Sequence, residues 1–589
     1  MAKMLLSANE AVAFGAYKAG CAVAAAYPGT PSTEILENIA ARFKDRIDCE
    51  WSVNEKVATE VAIGASIYGA RSVTAMKHVG LNVALDPIMT YTFQGTSGGF
   101  VVFIADDPGM HSSQNEQDSR NLVRFAKTLM LEPADSQEAF DMTVAAFDIS
   151  EKFRAPVFIR LTTRTSHTST VVDVGDDFAY GEGRSKPYKK DMQRYVSAPL
   201  FARRMRLETE ARTAALTEFA CTTEFNRIES GDTRLGIIAS GVAYQLVKEV
   251  FPEFSVLKLG CPIPLPKALV KRFAASVDRL LVVEELDPVV EEQVRAMGIP
   301  VVEHAVDLSM MELNPDRILA LRREVLGEAP VAAPARFEGA LPTRPPVLCA
   351  GCSHRGLFYV LNKLGATVTG DIGCYTLGAF PPLSGLDTVI CMGASIGSGS
   401  GFEAAGKTGR LAAVIGDSTF FHSGLTGIAN VAYNKRKLTT IVVDNSITAM
   451  TGHQDNPGTG KTIKGEPSPQ VNIAEACRAL GIRRVREANA YNLAELEKIL
   501  SEELDAPEAS VVVVKGPCVI AAKKVNAGTC SVTAECKACG ACFKLGCPAI
   551  VRGDKVDEKR FKARIDPTLC SGCDMCRQLC RFNAIERIR

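Results

Sequence analysis

Eight of the chain's 19 cysteines fall in its last 54 residues, arranged in two rows. The first is Cys536-x2-Cys539-x2-Cys542-x4-Cys547-Pro548; the second is Cys570-x2-Cys573-x2-Cys576-x3-Cys580. Three thiols two residues apart, with a fourth further on, are how a short chain wraps a [4Fe–4S] cube, and a doubled row implies two cubes near enough to exchange electrons. Zinc sites pair two short Cys-x2-Cys units and do not run three in succession. A disulfide framework fits poorly. Eleven more cysteines are scattered elsewhere, and the N-terminal stretch MAKMLLSANEAVAFGAYKAG carries Glu10 inside its apolar run. That stretch reads as an amphipathic helix, not a secretory signal, so a reducing cytoplasm is expected. The rows therefore point to single-electron chemistry that the rest of the chain must feed or use.

A second constellation lies upstream. Gly416-Asp417-Ser418 follows the apolar run LAAVI, and Asp444-Asn445 follows LTTIVV, with Asn445 28 residues after Asp417. Both fall where strands end, which is where open α/β sheets bind ligands. A hard cation such as Mg2+ takes oxygen ligands and keeps substrate phosphates in its shell. Asp417, the Asn445 side-chain oxygen and a nearby backbone carbonyl would supply that shell, and the helix after Gly416 would aim its N–H groups at a diphosphate. Such residues also cap helices. Gly401-x4-Gly406-Lys407-Thr408 matches a P-loop by letters, as does Asn456-Pro-Gly-Thr-Gly-Lys461-Thr462 with Asp455 in place of the first glycine. A P-loop must follow a strand and open a helix. The first match instead follows a small-residue helical stretch and precedes a strand.

The elements that must position these residues are legible in outline. Residues 1–185 alternate helical stretches with short apolar runs (CAVAAAYPG, SVTAMKHVG, GFVVFIADDPG, APVFIRLTTR), which predicts α/β with a mainly parallel sheet. Residues 186–232 are charged and read as a helical connector. Alternation resumes over 233–327, and 328–346 is a Pro/Ala-rich linker. A further α/β block spans 347–522, and the cysteine rows occupy 523–589. Beyond the doubled row no repeat is evident. Net charge is zero and no apolar run approaches membrane-spanning length, so neither nucleic acid nor a membrane is expected as a partner. Residues 523–589 hold 14 Lys/Arg against 7 Asp/Glu. This excess either offsets anionic cubes or forms a docking face for an acidic redox partner.

The cysteine rows resemble two-cluster bacterial ferredoxins, in which the fourth cysteine of each row serves the other cube. The resemblance implies Cys536, Cys539, Cys542 and Cys580 for one cube, and Cys570, Cys573, Cys576 and Cys547 for the other. The first row has one residue too many before Cys547, and the second lacks its closing proline; Cys530 is the alternative to Cys547. Over nearly the whole chain a broader likeness holds. Leu348–Arg355 (LCAGCSHR), Gly370–Gly378 (GDIGCYTLG), Gly416–Gly424 (GDSTFFHSG) and Asp444–Gln454 (DNSITAMTGHQ) together resemble the α subunit of indolepyruvate ferredoxin oxidoreductase, one of the 2-oxoacid:ferredoxin oxidoreductases.

The resemblance implies a multidomain thiamine-diphosphate enzyme of α/β class, with parallel-sheet domains and a C-terminal two-cluster ferredoxin-like α+β domain. It implies Mg2+ on Asp417, Asn445 and the Ile447 carbonyl. It implies a diphosphate along Gly373, Cys374, Tyr375, Thr376, Gly416, Ser418 and Thr451. In Asn54–Ser66 (NEKVATEVAIGAS) it favours Glu55 over Glu60 as the carboxylate that protonates the cofactor's pyrimidine. Thr30, in the loop AYPGTPSTE, would approach the 2-oxoacid. His111 and Gln114, in the polar run Asp106–Arg120, would line the pocket. No cation for the substrate carboxylate is identified. Cys349 and Cys352 lack two further ligands and are expected to pack a pocket. Residues 235–302 resemble the transketolase C-terminal-like domain, a scaffold. The implied reaction is oxidative decarboxylation of an aryl 2-oxoacid with coenzyme A, giving acyl-CoA, CO2 and reduced ferredoxin. Indolepyruvate is the named substrate; phenylpyruvate and branched 2-oxoacids stay open. The implied partners are a smaller β subunit, external ferredoxin and a higher oligomer of α–β units. The rivals are an iron–sulfur relay without catalysis and an ATPase working through Lys407.

Overall fold

The computed structural model describes residues 3–182, 186–329, 339, 341–342, 345–522 and 528–588. Two compact units divide the chain, Met1–Phe337 and Glu338–Arg589. Most of the stretch expected as a linker, 328–346, lies outside the described residues, as do 523–527 at the head of the expected cluster segment.

The first unit is built on six parallel strands in the order Asp48–Trp51, Val23–Ala26, Ser72–Lys77, Phe100–Asp106, Val157–Thr162, Leu129–Leu131. Every residue of Ser72–Lys77, Phe100–Asp106 and Val157–Thr162 is buried. Such strands lie between covered faces, which is why they read as continuous runs and not as alternating ones. After Val23–Ala26 the chain moves to one neighbour, Asp48–Trp51, then returns to the other side as Ser72–Lys77. That reversal leaves a crevice at the strands' carboxyl ends.

The N-terminus departs from the expected helix. Lys3–Ser7 is a strand paired antiparallel with Ser169–Asp173, and the helix begins only at Ala8. Ser7 and Glu10 form a reciprocal capping box that sets this start. The helix Ala8–Lys18 is buried on nearly every side, so its sequence shows little amphipathic contrast.

Within 186–232 the principal helix is Pro199–Thr222, and the strand Asn226–Glu229 opens a second sheet. That sheet runs Leu280–Val283, Asp232–Ser240, Phe254–Leu259, Asn226–Glu229, the last antiparallel. A buried ionic network ties it to the first. Arg120 pairs with Asp118 at 2.6 Å and Glu284 at 2.7 Å, and donates to the carbonyls of Glu285 and Asp287. Arg160 pairs with Asp106 at 2.7 Å and also with Glu132. The polar run Asp106–Arg120 is thereby anchored at both ends.

The second unit holds another six-stranded parallel sheet, ordered Thr388–Val389, Thr367–Gly370, Leu411–Gly416, Thr439–Asp444, Ser510–Lys515, Arg484–Asn489. Its threading repeats that of the first sheet strand for strand. The C-terminal part is α+β. Thr529–Val532 pairs antiparallel with Ile585–Ile588, and Ile550–Lys555 with Phe561–Ile565, around the short helices Ala541–Leu545 and Met575–Leu579. It is pinned to the α/β part. Arg355, itself buried, donates to the carbonyls of Leu348, Cys349, Leu545 and Gly546. Gln578 bonds the Leu493 N–H and the Tyr491 carbonyl.

Candidate active-site regions and cluster cavities

In the second unit the chain reverses between Thr367–Gly370 and Leu411–Gly416, and the residues expected along a diphosphate follow these two strands. Gly373 opens a tight helix, Cys374–Ala379, with its N–H held by the Thr376 hydroxyl at 3.1 Å. Thr376 in turn donates to the Asp371 carbonyl at 2.7 Å. The Tyr375 ring fills the space between the two strand ends. A Cβ on Gly373 would lie 2.4 Å from that ring, and one on Gly416 2.6 Å, so both positions require glycine for closeness of approach.

Asp417 is buried at the start of the next helix. Its burial, with the nearby Asp444 carboxylate, pushes its carboxyl up to about 7. The side chain accepts a long contact from Asn456 Nδ2 at 3.4 Å, and backbone hydrogen bonding at Ser418 also favours its ionised form. Asn445 Oδ1 accepts the Ile447 N–H at 3.3 Å, across Ser446 in the left-handed region (φ 58°). Ser418 receives the Thr448 hydroxyl at 2.8 Å, and Thr451 bonds Gln454 at 2.5 Å. A buried carboxyl beside a second carboxylate, with an amide oxygen on the adjacent strand end, is the donor set for a hard cation, which would reverse the penalty on the ionised form. The residues present therefore fit Mg2+.

The first unit gathers a different set at its own strand ends. Glu55 begins the helix Glu55–Tyr68, capped by Asn54, and is buried. A Cβ on Gly80 would lie 2.7 Å from Glu55 Oε1, so the carboxylate rests on the first turn of the next helix. Glu60 is exposed and pairs with Lys56. Thr30 is half-buried in the loop after Val23–Ala26, and its carbonyl accepts the Ser112 hydroxyl at 3.2 Å. His111 and Gln114 are exposed; His111 lies 3.5 Å from Glu312. Sequence reasoning missed Lys77, which stands among these residues at the end of its strand.

Two cavities organise the cysteine rows. Cys536, Cys539, Cys542 and Cys580 line one, walled by apolar residues that include Val532 and Phe561. Cys547, Cys570, Cys573 and Cys576 line the other, together with Cys530. Cys530 is otherwise engaged: its N–H donates to Cys570 Sγ at 3.3 Å and its thiol lies 3.4 Å from Asp574. The additional residue before Cys547 is taken up by the helix Ala541–Leu545 and the left-handed Gly546 (φ 60°), where a Cβ would strike Pro382 at 2.8 Å. Among the described residues no three His, Cys, Asp or Glu side chains are already drawn around one ion-sized point. A cube carries its four thiolates on separate irons and so needs them further apart, around a cavity. Four thiols around one cavity and five around the other fit that requirement.

Cys349 and Cys352, expected to pack a pocket, have company. Burial pushes up the thiols of Cys349, Cys352 and Cys374, and neighbouring sulfurs of this group, Cys518 among them, add to the rise. Cys518 Sγ also lies 3.7 Å from His453 Nε2. Cys518 sits beyond the strand Ser510–Lys515, so no local spacing links it to the other three. The P-loop-like run Gly401–Thr408 begins in the last turn of the helix Ala394–Ala404 and leads to the strand Leu411–Gly416, the reverse of a phosphate cradle.

Known proteins resemble this chain in sequence. Residues 14–224 match the family described as pyruvate flavodoxin/ferredoxin oxidoreductase, thiamine diphosphate-binding. Residues 371–514 match thiamine pyrophosphate enzyme, C-terminal TPP binding domain. The indolepyruvate oxidoreductase subunit IorA of Pyrococcus abyssi is 41% identical, over 100% of this chain and 97% of its own. That of Archaeoglobus fulgidus is 39% identical, over 99% and 97%. The 2-oxoglutarate synthase subunit KorA of Methanocaldococcus jannaschii is 30% identical over 31% of this chain and 52% of its own.

Proposed function

The chain belongs to the family of indolepyruvate oxidoreductase IorA subunits, thiamine-diphosphate-dependent 2-oxoacid:ferredoxin oxidoreductases, and we propose that its own reaction is the oxidative decarboxylation of indolepyruvate with coenzyme A, yielding acyl-CoA, CO2 and reduced ferredoxin. One observation carries the reading: buried Asp417, with Asn445 at the neighbouring strand end, and two cysteine-lined cavities occupy the same compact unit. A carbanion-forming cofactor and a store for single electrons are what this reaction class requires.

When bound, thiamine diphosphate supplies a nucleophilic carbon and a sink for the electron pair left by CO2. The protein's part is to bind and orient. Asp417, Asn445 and the Ile447 carbonyl would hold Mg2+. Gly373, Cys374, Tyr375, Thr376, Gly416, Ser418 and Thr451 follow the diphosphate. Glu55 holds a proton at the pyrimidine N1′ nitrogen; its burial at a strand-end crevice supports it over exposed Glu60. Thr30, His111 and Gln114 are assigned to the substrate side. Two [4Fe–4S] cubes, when bound, would supply one-electron acceptor chemistry. Cys536, Cys539, Cys542 and Cys580 would hold one, and Cys570, Cys573, Cys576 and Cys547 the other, with Cys530 lining the same cavity as the second set. Residues 1–185 serve the pyrimidine, 233–327 scaffold, 347–522 hold the diphosphate and 523–589 carry the cubes. A smaller β subunit completes the enzyme, external ferredoxin receives the electrons, and α–β units assemble further.

The test is anaerobic purification with the β subunit, followed by cofactor and iron analysis and viologen reduction. Bound thiamine diphosphate, about eight irons from the two rows and CoA-dependent reduction with indolepyruvate are expected. Preference for phenylpyruvate or a branched 2-oxoacid would reassign the substrate. A folded, iron-loaded protein without thiamine diphosphate would overturn the enzymatic reading.

A further inference from the structure

The first unit keeps a lysine where a lysine is costly. Lys77 ends the central strand Ser72–Lys77 and is 9% exposed. Its stem crosses the backbone of the loop that carries Thr30: a Cβ on Gly29 would lie 3.3 Å from Lys77 Cγ and Cδ. A side chain at position 29 would press on that path. The ammonium emerges beside Ser112, donating to its carbonyl at 2.9 Å, while the Ser112 hydroxyl reaches the Thr30 carbonyl at 3.2 Å. Lys77, Ser112 and Thr30 thus converge at the crevice between the first and third strands of the sheet.

An ammonium has three donors, and one carbonyl uses one of them. The neighbouring carboxylates are not arranged to use the rest. Asp107 attracts the ammonium, but its own oxygens are occupied. They accept the Ser112 N–H at 2.8 Å, the Ser113 hydroxyl at 2.6 Å, the Thr163 hydroxyl at 2.7 Å and the Ser112 hydroxyl at 3.3 Å. Glu55 adds a weaker attraction. The described residues form no salt bridge to Lys77, although a buried cation gains most from a partner in direct contact. Burial lowers the lysine to about 8, so the site favours an incoming anion.

We propose that the Lys77 ammonium binds the carboxylate of the 2-oxoacid, an assignment that rests on the reading of the chain as a 2-oxoacid oxidoreductase. Thr30 lies across the same crevice. The carboxylate supplies the contact anion that the fold withholds, and its keto carbon is oriented by the grip on the adjacent group. Lys77 is thus the cation for the substrate.

The experiment uses the complete enzyme with its partner subunit and cofactors. Two probes differ only in charge: indole-3-lactate, which has no keto group to react, and its neutral amide. Calorimetric dissociation constants are measured for both, with KM and kcat for indolepyruvate, in wild type, Lys77→Met and Lys77→Arg. Loss of a charged hydrogen bond predicts lactate binding and KM weakened about ten- to hundredfold in Lys77→Met, with amide binding unchanged. Lys77→Arg should restore lactate binding to within a few-fold. Equal lactate binding by wild type and Lys77→Met overturns the proposal, as does equal loss of lactate and amide. A wild-type enzyme that reduces viologen with no 2-oxoacid overturns the functional reading and the assignment with it. A working wild type with an unaffected variant overturns the assignment alone.

Discussion

The two six-stranded sheets thread their strands in the same order but finish them in opposite charge. In the first, the third strand ends at Lys77 and the fourth is followed by Asp107, whose carboxylate is consumed by hydroxyls and an N–H. In the second, the third strand is followed by Asp417 and the fourth by Asn445, beside a second carboxylate. Crevice position is a property of the topology: both sites open where the chain reverses direction in the sheet. What each crevice attracts depends on the one or two residues just past a strand end. An ammonium suits one to an anion; a crowded carboxyl suits the other to a cation.

Substitutions that remove charge on each side would break this contrast most forcefully. Glu55→Gln should lower kcat by about 10²- to 10⁴-fold, the range for a general acid–base group, while bound thiamine diphosphate and iron stay at wild-type levels; Glu60→Gln should leave kcat unchanged. Asp417→Asn should strip Mg2+ and with it the diphosphate, read as thiamine diphosphate lost on gel filtration without loss of iron. If it kept its cofactor, the cation assignment in the second sheet would fall.

Smaller effects sharpen the same comparison. Arg120→Met leaves Asp118 and Glu284 buried without their partner, and denaturant unfolding of the first unit should show about 3–5 kcal/mol of destabilisation. Cys547→Ser should remove about four irons per chain and Cys530→Ser almost none, measured by iron analysis; the reverse pattern would exchange their roles. The pH dependence of substrate affinity follows from Lys77. Its lowered pKa means the ammonium is present below about 8 and lost above it, with Asp107 and Glu55 favouring the charged form; its chain neighbour His78 is lowered by burial and, to a lesser degree, by the ammonium itself. Affinity for the 2-oxoacid should therefore be flat below about pH 8 and fall about tenfold per unit above it. In Lys77→Arg the fall should vanish.

Local patterns were legible where the chemistry is local. The cysteine rows and the Gly416-Asp417…Asn445 spacing are short-range signals, and the structure sets those residues around cavities and strand ends. The shared threading of the two sheets left no trace as a repeat, because buried parallel strands accept any apolar run and strand order is decided by crossovers. Lys77 was hidden for a related reason: in the run SVTAMKHVG it reads as the polar end of a strand, and only the fold sets Gly29 and Ser112 against it. Cys518 joins Cys349, Cys352 and Cys374 through a strand pairing that no spacing rule anticipates. The N-terminal helix was placed too early because Met4, Leu5 and Leu6 look helical until Ser169–Asp173 pairs with them.

Arg355 closes on four carbonyls at once, two on each side of the joint between the cluster segment and the α/β part of its unit. A carrier hung on a loose tether must wait to swing into range before it can discharge. Fastened this way, cubes held in the two cavities would behave as wiring and not as a shuttle: the gap an electron must cross inside the second unit would be set when the chain folds. Throughput there should follow the energy difference between donor and acceptor and be indifferent to solvent viscosity, and any diffusive delay should arise only at encounter with the external acceptor.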